Sequence, residues 1–329
     1  MKGFEGTIQH LGLSLAAVCE QAAIASADWI GHGRKNEADG AATEAMRTWL
    51  NRMPMRGTVV IGEGELDEAP MLYIGETLGT GFGPRVDIAV DPLEGTALVA
   101  DGLDNSLSVI ALAPEGCLLH APDTYMEKLA VGPAAVGQID ITAPLLTNLE
   151  RTAKALGKDM REMTVSIQNR PRHREAIETV RRAGAKVALF QEGDVSCLIA
   201  TAVPGAVPDL FYSIGGAPEG VVSAAAIRCL GGDMQGRLKP ENAEQERRCL
   251  LMGVRPDQPL GLSDFVRSND CLFAATGITD SLLLSGVRRT AAGQWAVHTM
   301  LGIGQGQQVY FLKSQKAGLK SPSPNFARA

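Results

Sequence analysis

The stretch Val86-Asp87-Ile88-Ala89-Val90-Asp91-Pro92-Leu93-Glu94-Gly95-Thr96 decides how this chain is read. Its first five residues form an apolar strand, and Asp91-Pro92 halts it. The strand end then throws two carboxylates, three residues apart, into one turn. Pro92 fixes the backbone and Gly95 lets it turn sharply. Thr96 opens the next segment, where free N–H groups at a helix start can hold a phosphate. Carboxylates repel phosphate, so the combination makes little sense without a divalent cation. Hard oxygen donors beside phosphate point to Mg²⁺ or Mn²⁺. The bland alternative is an Asx-Pro turn with a solvated glutamate.

Working outward, the same arrangement recurs. Gly62-Glu63-Gly64-Glu65-Leu66-Asp67-Glu68-Ala69-Pro70 also follows a short β-branched strand, Thr58-Val59-Val60-Ile61. So many acids repel one another unless solvated or neutralised by metal, and two such turns on neighbouring strands can share a metal cluster. Gly215-Gly216-Ala217-Pro218-Glu219-Gly220 lies between a strand and a helix. Pro218 suits a first helical turn. Glu219 there either complements the macrodipole or acts as a distal ligand. Lys35-Asn36-Glu37-Ala38-Asp39 reads as a polar helix start whose Lys35 can neutralise phosphate and whose Asp39, one turn in, can face the cluster. Arg170-Pro171-Arg172-His173-Arg174 is the densest cationic spot, either a solvated helix start or a phosphate clamp. Glu192-Gly193-Asp194 is either a turn with an N-cap or an acceptor for sugar hydroxyls.

Periodicity places helices over 13–30, with Ser14 as N-cap, and over 37–53. Strands are expected at 58–61, 86–90 and 106–112. Beyond 145 helices (146–157, 173–183, 194–200, 219–230, 241–252) alternate with strands (163–167, 185–190, 209–214, 271–275). A hairpin around Ala292-Gly293 follows. Interleaving of this kind favours sheets covered by helices.

Composition narrows the classes. The 329 residues are 45% hydrophobic and 21% charged, which excludes disorder as the main state. Thirty-one Lys+Arg against 37 Asp+Glu leave a net charge of −6, the wrong sign for a generic nucleic-acid binder. No run approaches the ~20 apolar residues a bilayer span needs, and the first residues do not resemble a secretory signal. The six cysteines never form C-x-x-C, which favours reduced thiols in a cytosol over zinc or disulfides. A Walker A pattern, H-E-x-x-H and a nucleophile elbow are all absent from the sequence.

Taken together, Lys35–Asp39, Val59–Glu76, Val86–Thr96, Ala121–Leu129, Ile214–Val221 and Gly231–Leu238 resemble the class II (GlpX-type) fructose-1,6-bisphosphatases, within the lithium-sensitive, metal-dependent sugar and inositol phosphatase superfamily. The resemblance covers roughly residues 10–312. It implies an α/β (α+β layered) sugar-phosphatase fold of alternating helix and mixed-sheet layers, α-β-α-β-α. By the same resemblance, two or three Mn²⁺ or Mg²⁺ ions would be held by Asp39, Glu63, Asp91, Glu94, Glu219 and the Leu93 carbonyl. Lys35, Thr96 and Asp39 would be catalytic. Substrate contacts would come from Glu94, Gly95, Thr96, Tyr125, Arg170, Pro171, Arg172, Glu192, Gly193, Asp194 and Gly216. The implied reaction is hydrolysis of the C1 phosphate of fructose 1,6-bisphosphate by a cytoplasmic homodimer or homotetramer, with neither nucleic acid nor membrane as partner. Alternatives are a dual fructose-1,6-/sedoheptulose-1,7-bisphosphatase, an inositol-monophosphatase-like enzyme and a non-catalytic sugar-phosphate sensor. In this reading 1–160 carries most metal ligands, 161–312 the sugar and distal-phosphate contacts with Glu219. Residues 313–329, basic and containing Ser-Pro-Ser-Pro, are expected to form a disordered tail.

Overall fold

A computed structural model of the chain describes residues 7–64 and 71–317. Glu65 to Pro70 of the acidic turn lie outside the described residues. Two helices, α1 (Gly12–Ala27) and α2 (Lys35–Leu50), precede β1 (Arg56–Ile61), β2 (Thr77–Leu78) and β3 (Arg85–Glu94). The short α3 (Thr96–Asp101) leads to β4 (Leu107–Pro114) and β5 (Tyr125–Val131). Then come α4 (Leu145–Leu156), β6 (Thr164–Gln168), α5 (Arg174–Arg182), β7 (Lys186–Phe190), α6 (Asp194–Ala200) and β8 (Leu210–Gly216). They are followed by α7 (Ala217–Leu230), β9 (Asp233–Lys239), α8 (Ala243–Leu251), β10 (Leu260–Gly261) and α9 (Leu262–Phe265). The last described elements are β11 (Leu272–Gly277), β12 (Arg288–Arg289), β13 (Trp295–Ile303) and β14 (Gln308–Lys316).

The strands form two mixed sheets. The larger runs β12-β13-β11-β4-β3-β1-β2, with β14 also on β13; the smaller runs β10-β9-β5-β8-β6-β7. Helices α1 and α2 cover one face of the larger sheet, α6 and α7 lie between the sheets, and α4 and α5 cover the far face of the smaller one. The result is the five-layer α-β-α-β-α order. Helix character follows layer. Helix α7 is apolar nearly all round, and Ala224, Ala225 and Ala226 are fully buried against Phe273 of one sheet and Met126 and Phe211 of the other. Small side chains let a helix sit between two sheets; a bulkier residue there would overpack by ~1–3 kcal/mol. Helix α5, at the outside, buries only Ile177 and Val180 and leaves its arginines in solvent.

Most expected elements are present, with instructive exceptions. Ser14 is not an N-cap: a 3₁₀ turn, Ile8–Leu11, runs directly into α1, and the Thr7 side chain caps that turn. Strands β5, β9 and β14 escape the hydropathy pattern. In β5 the charged Glu127 and Lys128 are buried mid-strand; in β9 only Met234, Gly236 and Leu238 turn inward; β14 is an exposed edge. The expected tail therefore begins too early. Lys313 to Lys316 pair with β13, and Lys316 Nζ reaches Glu20 at 2.6 Å. Residues 318–329 lie outside the described residues. The two halves of the chain also interlace, since β5 joins the smaller sheet and β11–β14 return to the larger.

Candidate active site

The site begins with a defect in β3. Two residues three apart on a regular strand face opposite sides, which would separate Asp91 from Glu94. In the β3–β4 pairing Asp91 is opposite Val109 and Glu94 opposite Leu107, three steps against two. The extra residue is a bulge at Pro92-Leu93, where a residue without an N–H is tolerated. It returns both acids to one side. Gly95 then takes a left-handed conformation (φ 79°) at the start of α3. Thr96 Oγ1 donates to the Leu93 carbonyl at 3.3 Å rather than to a carboxylate.

Both acids open into a cavity of about 580 Å³ at the strand ends. Lys35 and Asp39 reach it from α2, Glu63 from the end of β1, and Glu219 from the first turn of α7. Of the expected site residues, only Pro171 does not line it. Pro171 faces a second, shallower groove beside α5.

The electrostatics are those of an acid cluster short of positive charge. Burial, and then the neighbouring Asp39, pushes Glu63 up to about 8. Asp91 and Glu94 are held well above the carboxylate range by burial first. Nearby acids add to this, Glu63 foremost for Asp91 and Asp194 foremost for Glu94. Asp39 is raised by burial, and Glu219 by burial and Asp194 against the pull of Lys128. Glu94 Oε1 accepts the Val195 N–H at 2.8 Å, but Glu94 Oε2 and Glu219 Oε2 are buried and accept no hydrogen bond from the described residues. Orphaned buried carboxylate oxygens are costly, and a hard cation is the ligand that satisfies them. Among the described residues no three acidic, His or Cys side chains meet closely enough to form a ready-made ion cage. The acids line the cavity instead.

The opposite end is built from arginine. Arg172 stacks over the Tyr125 ring (4.9 Å), while its Nε donates to Ile214 O at 2.9 Å and its Nη2 to Gln168 Oε1 at 2.7 Å. Arg170 pairs with Glu192 at 3.3 Å, so Glu192 is committed to this arginine. Beneath them His173 is buried; it accepts the Ile214 N–H at Nε2 (2.8 Å), and its Nδ1 lies 2.9 Å from Gln168 O. Gly193, Asp194 and Gly216 line the cavity too, Asp194 and Gly216 beside the acids Glu94 and Glu219. Asn105 Nδ2 donates to the carbonyls of Glu192 and Gly193 at 2.8 and 2.9 Å and fixes that turn.

Three further polar side chains line the cavity without having been singled out from the sequence: Asp123, Gln168 and Arg248. Asp123 lies inside the motif Ala121–Leu129, so a signal existed; Gln168 and Arg248 carry none.

Five layers around a cavity with an acidic end and an arginine end define a layered α/β protein suited to a phosphorylated ligand accompanied by cations. The chain belongs to the glpX-encoded bacterial fructose-1,6-bisphosphatase family, whose model matches residues 9–316. It is 50% identical over 294 residues to "Fructose-1,6-bisphosphatase 1 class 2" of Escherichia coli, covering 85% of this chain and 88% of that one. It is 49% identical over 299 residues to "Fructose-1,6-bisphosphatase 2 class 2" of the same organism (87% and 93% covered). The class 2 enzyme of Haemophilus influenzae is 47% identical over 292 residues, with 85% and 88% covered.

Proposed function

We propose that the chain is a metal-dependent phosphatase that hydrolyses the C1 phosphate of fructose 1,6-bisphosphate to fructose 6-phosphate and inorganic phosphate. Family membership supports the substrate. The observation that carries the metal dependence is the pair of buried oxygens without a hydrogen-bond partner among the described residues, Glu94 Oε2 and Glu219 Oε2, beside Asp39, Glu63 and Asp91. With the Leu93 carbonyl these side chains would hold two or three Mg²⁺ or Mn²⁺ ions. When bound, such ions supply Lewis-acid charge and lower the pKa of water.

The chain's own groups do the rest. The Thr96 hydroxyl, fixed by the Leu93 carbonyl, aligns the attacking water, and Asp39 takes its proton. The water oxygen bonds to phosphorus as the bond between phosphorus and the sugar O1 breaks; the leaving oxygen takes a proton from solvent water, and Asp39 releases to solvent the one it took. Lys35 and the backbone at Gly95-Thr96 face the negative charge of the transferring group. Arg172, preset by Tyr125, Gln168 and Ile214, grips the second phosphate together with Arg170. Asp194, Gly193 and Gly216 meet the sugar hydroxyls. Orienting both ends of the substrate turns binding into alignment.

The reading extends to a cytoplasmic homodimer or homotetramer. The six cysteines are unpaired, in keeping with a reducing compartment, and among the described residues no helix is long and apolar enough to cross a membrane. Phosphate release from fructose 1,6-bisphosphate, sedoheptulose 1,7-bisphosphate and inositol 1-phosphate, each with and without Mg²⁺ or Mn²⁺, tests the proposal. Metal-dependent turnover of the six-carbon bisphosphate is expected to lead. Faster turnover of the seven-carbon substrate or of the monophosphate would reassign the enzyme, and no release from any would make it a sensor.

A further inference from the structure

Lys128 is a charged residue in the middle of β5, and no solvent reaches it. It does not line the cavity. Its ammonium lies just behind the wall, donating to Asp194 Oδ2 at 2.5 Å and to the Gly216 carbonyl at 2.8 Å. The surroundings are shaped around this contact. A Cβ on Gly215 would stand 2.7 Å from Asp194 Oδ2 and 3.2 Å from Lys128 Nζ, and one on Gly220 would stand 3.3 Å from Lys128 Cδ. Three stretches remote in sequence, β5, the start of α6 and the β8–α7 junction, therefore meet at one buried cation. A desolvated ion pair is stiff, because any movement of Asp194 leaves an ammonium uncompensated in a dry interior.

We propose that Lys128 is a positioning residue for substrate recognition. It holds the Asp194 carboxylate and the Gly216 backbone in the arrangement that meets the sugar hydroxyls, without touching substrate itself. This rests on the sugar-bisphosphatase reading above. A residue with this role affects how well the sugar is held, and because Asp194 and Gly216 also border Glu94 and Glu219, its charge reaches the acid cluster as well. The test compares wild type, Lys128→Met, Asp194→Asn and the double variant on fructose 1,6-bisphosphate at saturating Mn²⁺, recording kcat and KM. Lys128→Met is expected to raise KM at least tenfold, with kcat at saturating Mn²⁺ within threefold of wild type. The double variant should lose less than the product of the two single losses, since both changes break the Lys128–Asp194 pair. Should Lys128→Met not fold, Gly215→Ala pushes a methyl against the same pair while keeping both charges, and the same KM-selective loss is expected. An unchanged KM, a fall in kcat as large as that in kcat/KM, or multiplicative losses in the double variant would overturn the inference. A wild type without turnover would overturn the functional reading itself, and the inference with it.

Discussion

Lowering the pH from 7.5 to 5 should destabilise the protein through one buried imidazole, His173. The Ile214 N–H points at Nε2, so that nitrogen must be the bare acceptor and Nδ1 must carry the proton donated to Gln168 O. A second proton on Nε2 would set two N–H groups against each other. Burial, and then the charge of Arg172, accordingly lowers the group from 6.5 to about 4, against the pull of the Gln168 carbonyl. The unfolded chain takes up the proton near 6.5 while the folded chain refuses it until about 4, so stability rises with pH between these values. Each pH unit in that window is worth about 1.4 kcal/mol. At pH 5 the folded state has lost about 2 kcal/mol to this group, and below pH 4 about 3 kcal/mol. His173→Gln carries no such proton. At pH 7.5 the variant should be less stable by ~1–3 kcal/mol, having kept one of two buried hydrogen bonds. Urea unfolding of both proteins at pH 7.5, 6 and 5 should show this gap closing by about 2 kcal/mol. A gap that stays constant or widens refutes the assigned tautomer and the argument built on it. The variant should also raise KM, because Ile214 supplies the carbonyl that anchors Arg172.

Other outcomes follow from the site. Glu94→Gln should reduce metal-dependent phosphate release by on the order of 10²–10³-fold. In the metal-free protein the same change should raise stability by ~1 kcal/mol, since a carboxyl whose ionisation is opposed by burial, Asp194 and Asp91 gives way to a neutral amide; a chelator-treated urea titration measures it. Arg172→Ala should raise KM for the bisphosphate about 10–100-fold with kcat little changed, and Arg172→Lys should not restore it, because the fork that meets Gln168 and Ile214 is lost. Gly193→Ala should lower stability by ~1–3 kcal/mol, because its φ is +80° and a Cβ would lie 2.3 Å from Asn105 O; its melting temperature reports this directly. Adding Mn²⁺ to the chelated protein should raise the melting temperature, and Glu219→Gln should blunt the rise.

Local chemistry was legible in the residues alone. An apolar strand ending in Asp91-Pro92-Leu93-Glu94-Gly95-Thr96 must turn, expose acids and open a helix, because proline, glycine and β-branched residues constrain their own backbone whatever surrounds them. The same holds for Pro218 in the first turn of α7 and for the arginines around Pro171. Strand β5 stayed hidden for the opposite reason. A buried lysine contradicts hydropathy, and only Asp194, 66 residues further on, makes it tolerable. Strand β14 reads as polar tail until β13 pairs with it. The bulge that turns Asp91 and Glu94 to one side is likewise a property of the β3–β4 register and of neither strand alone. What each turn contains is thus written in short windows of sequence. Which turns face one another, and which charges end up dry, depends on contacts such as Glu94 to Val195, 101 residues apart, and these exist only once the layers have closed.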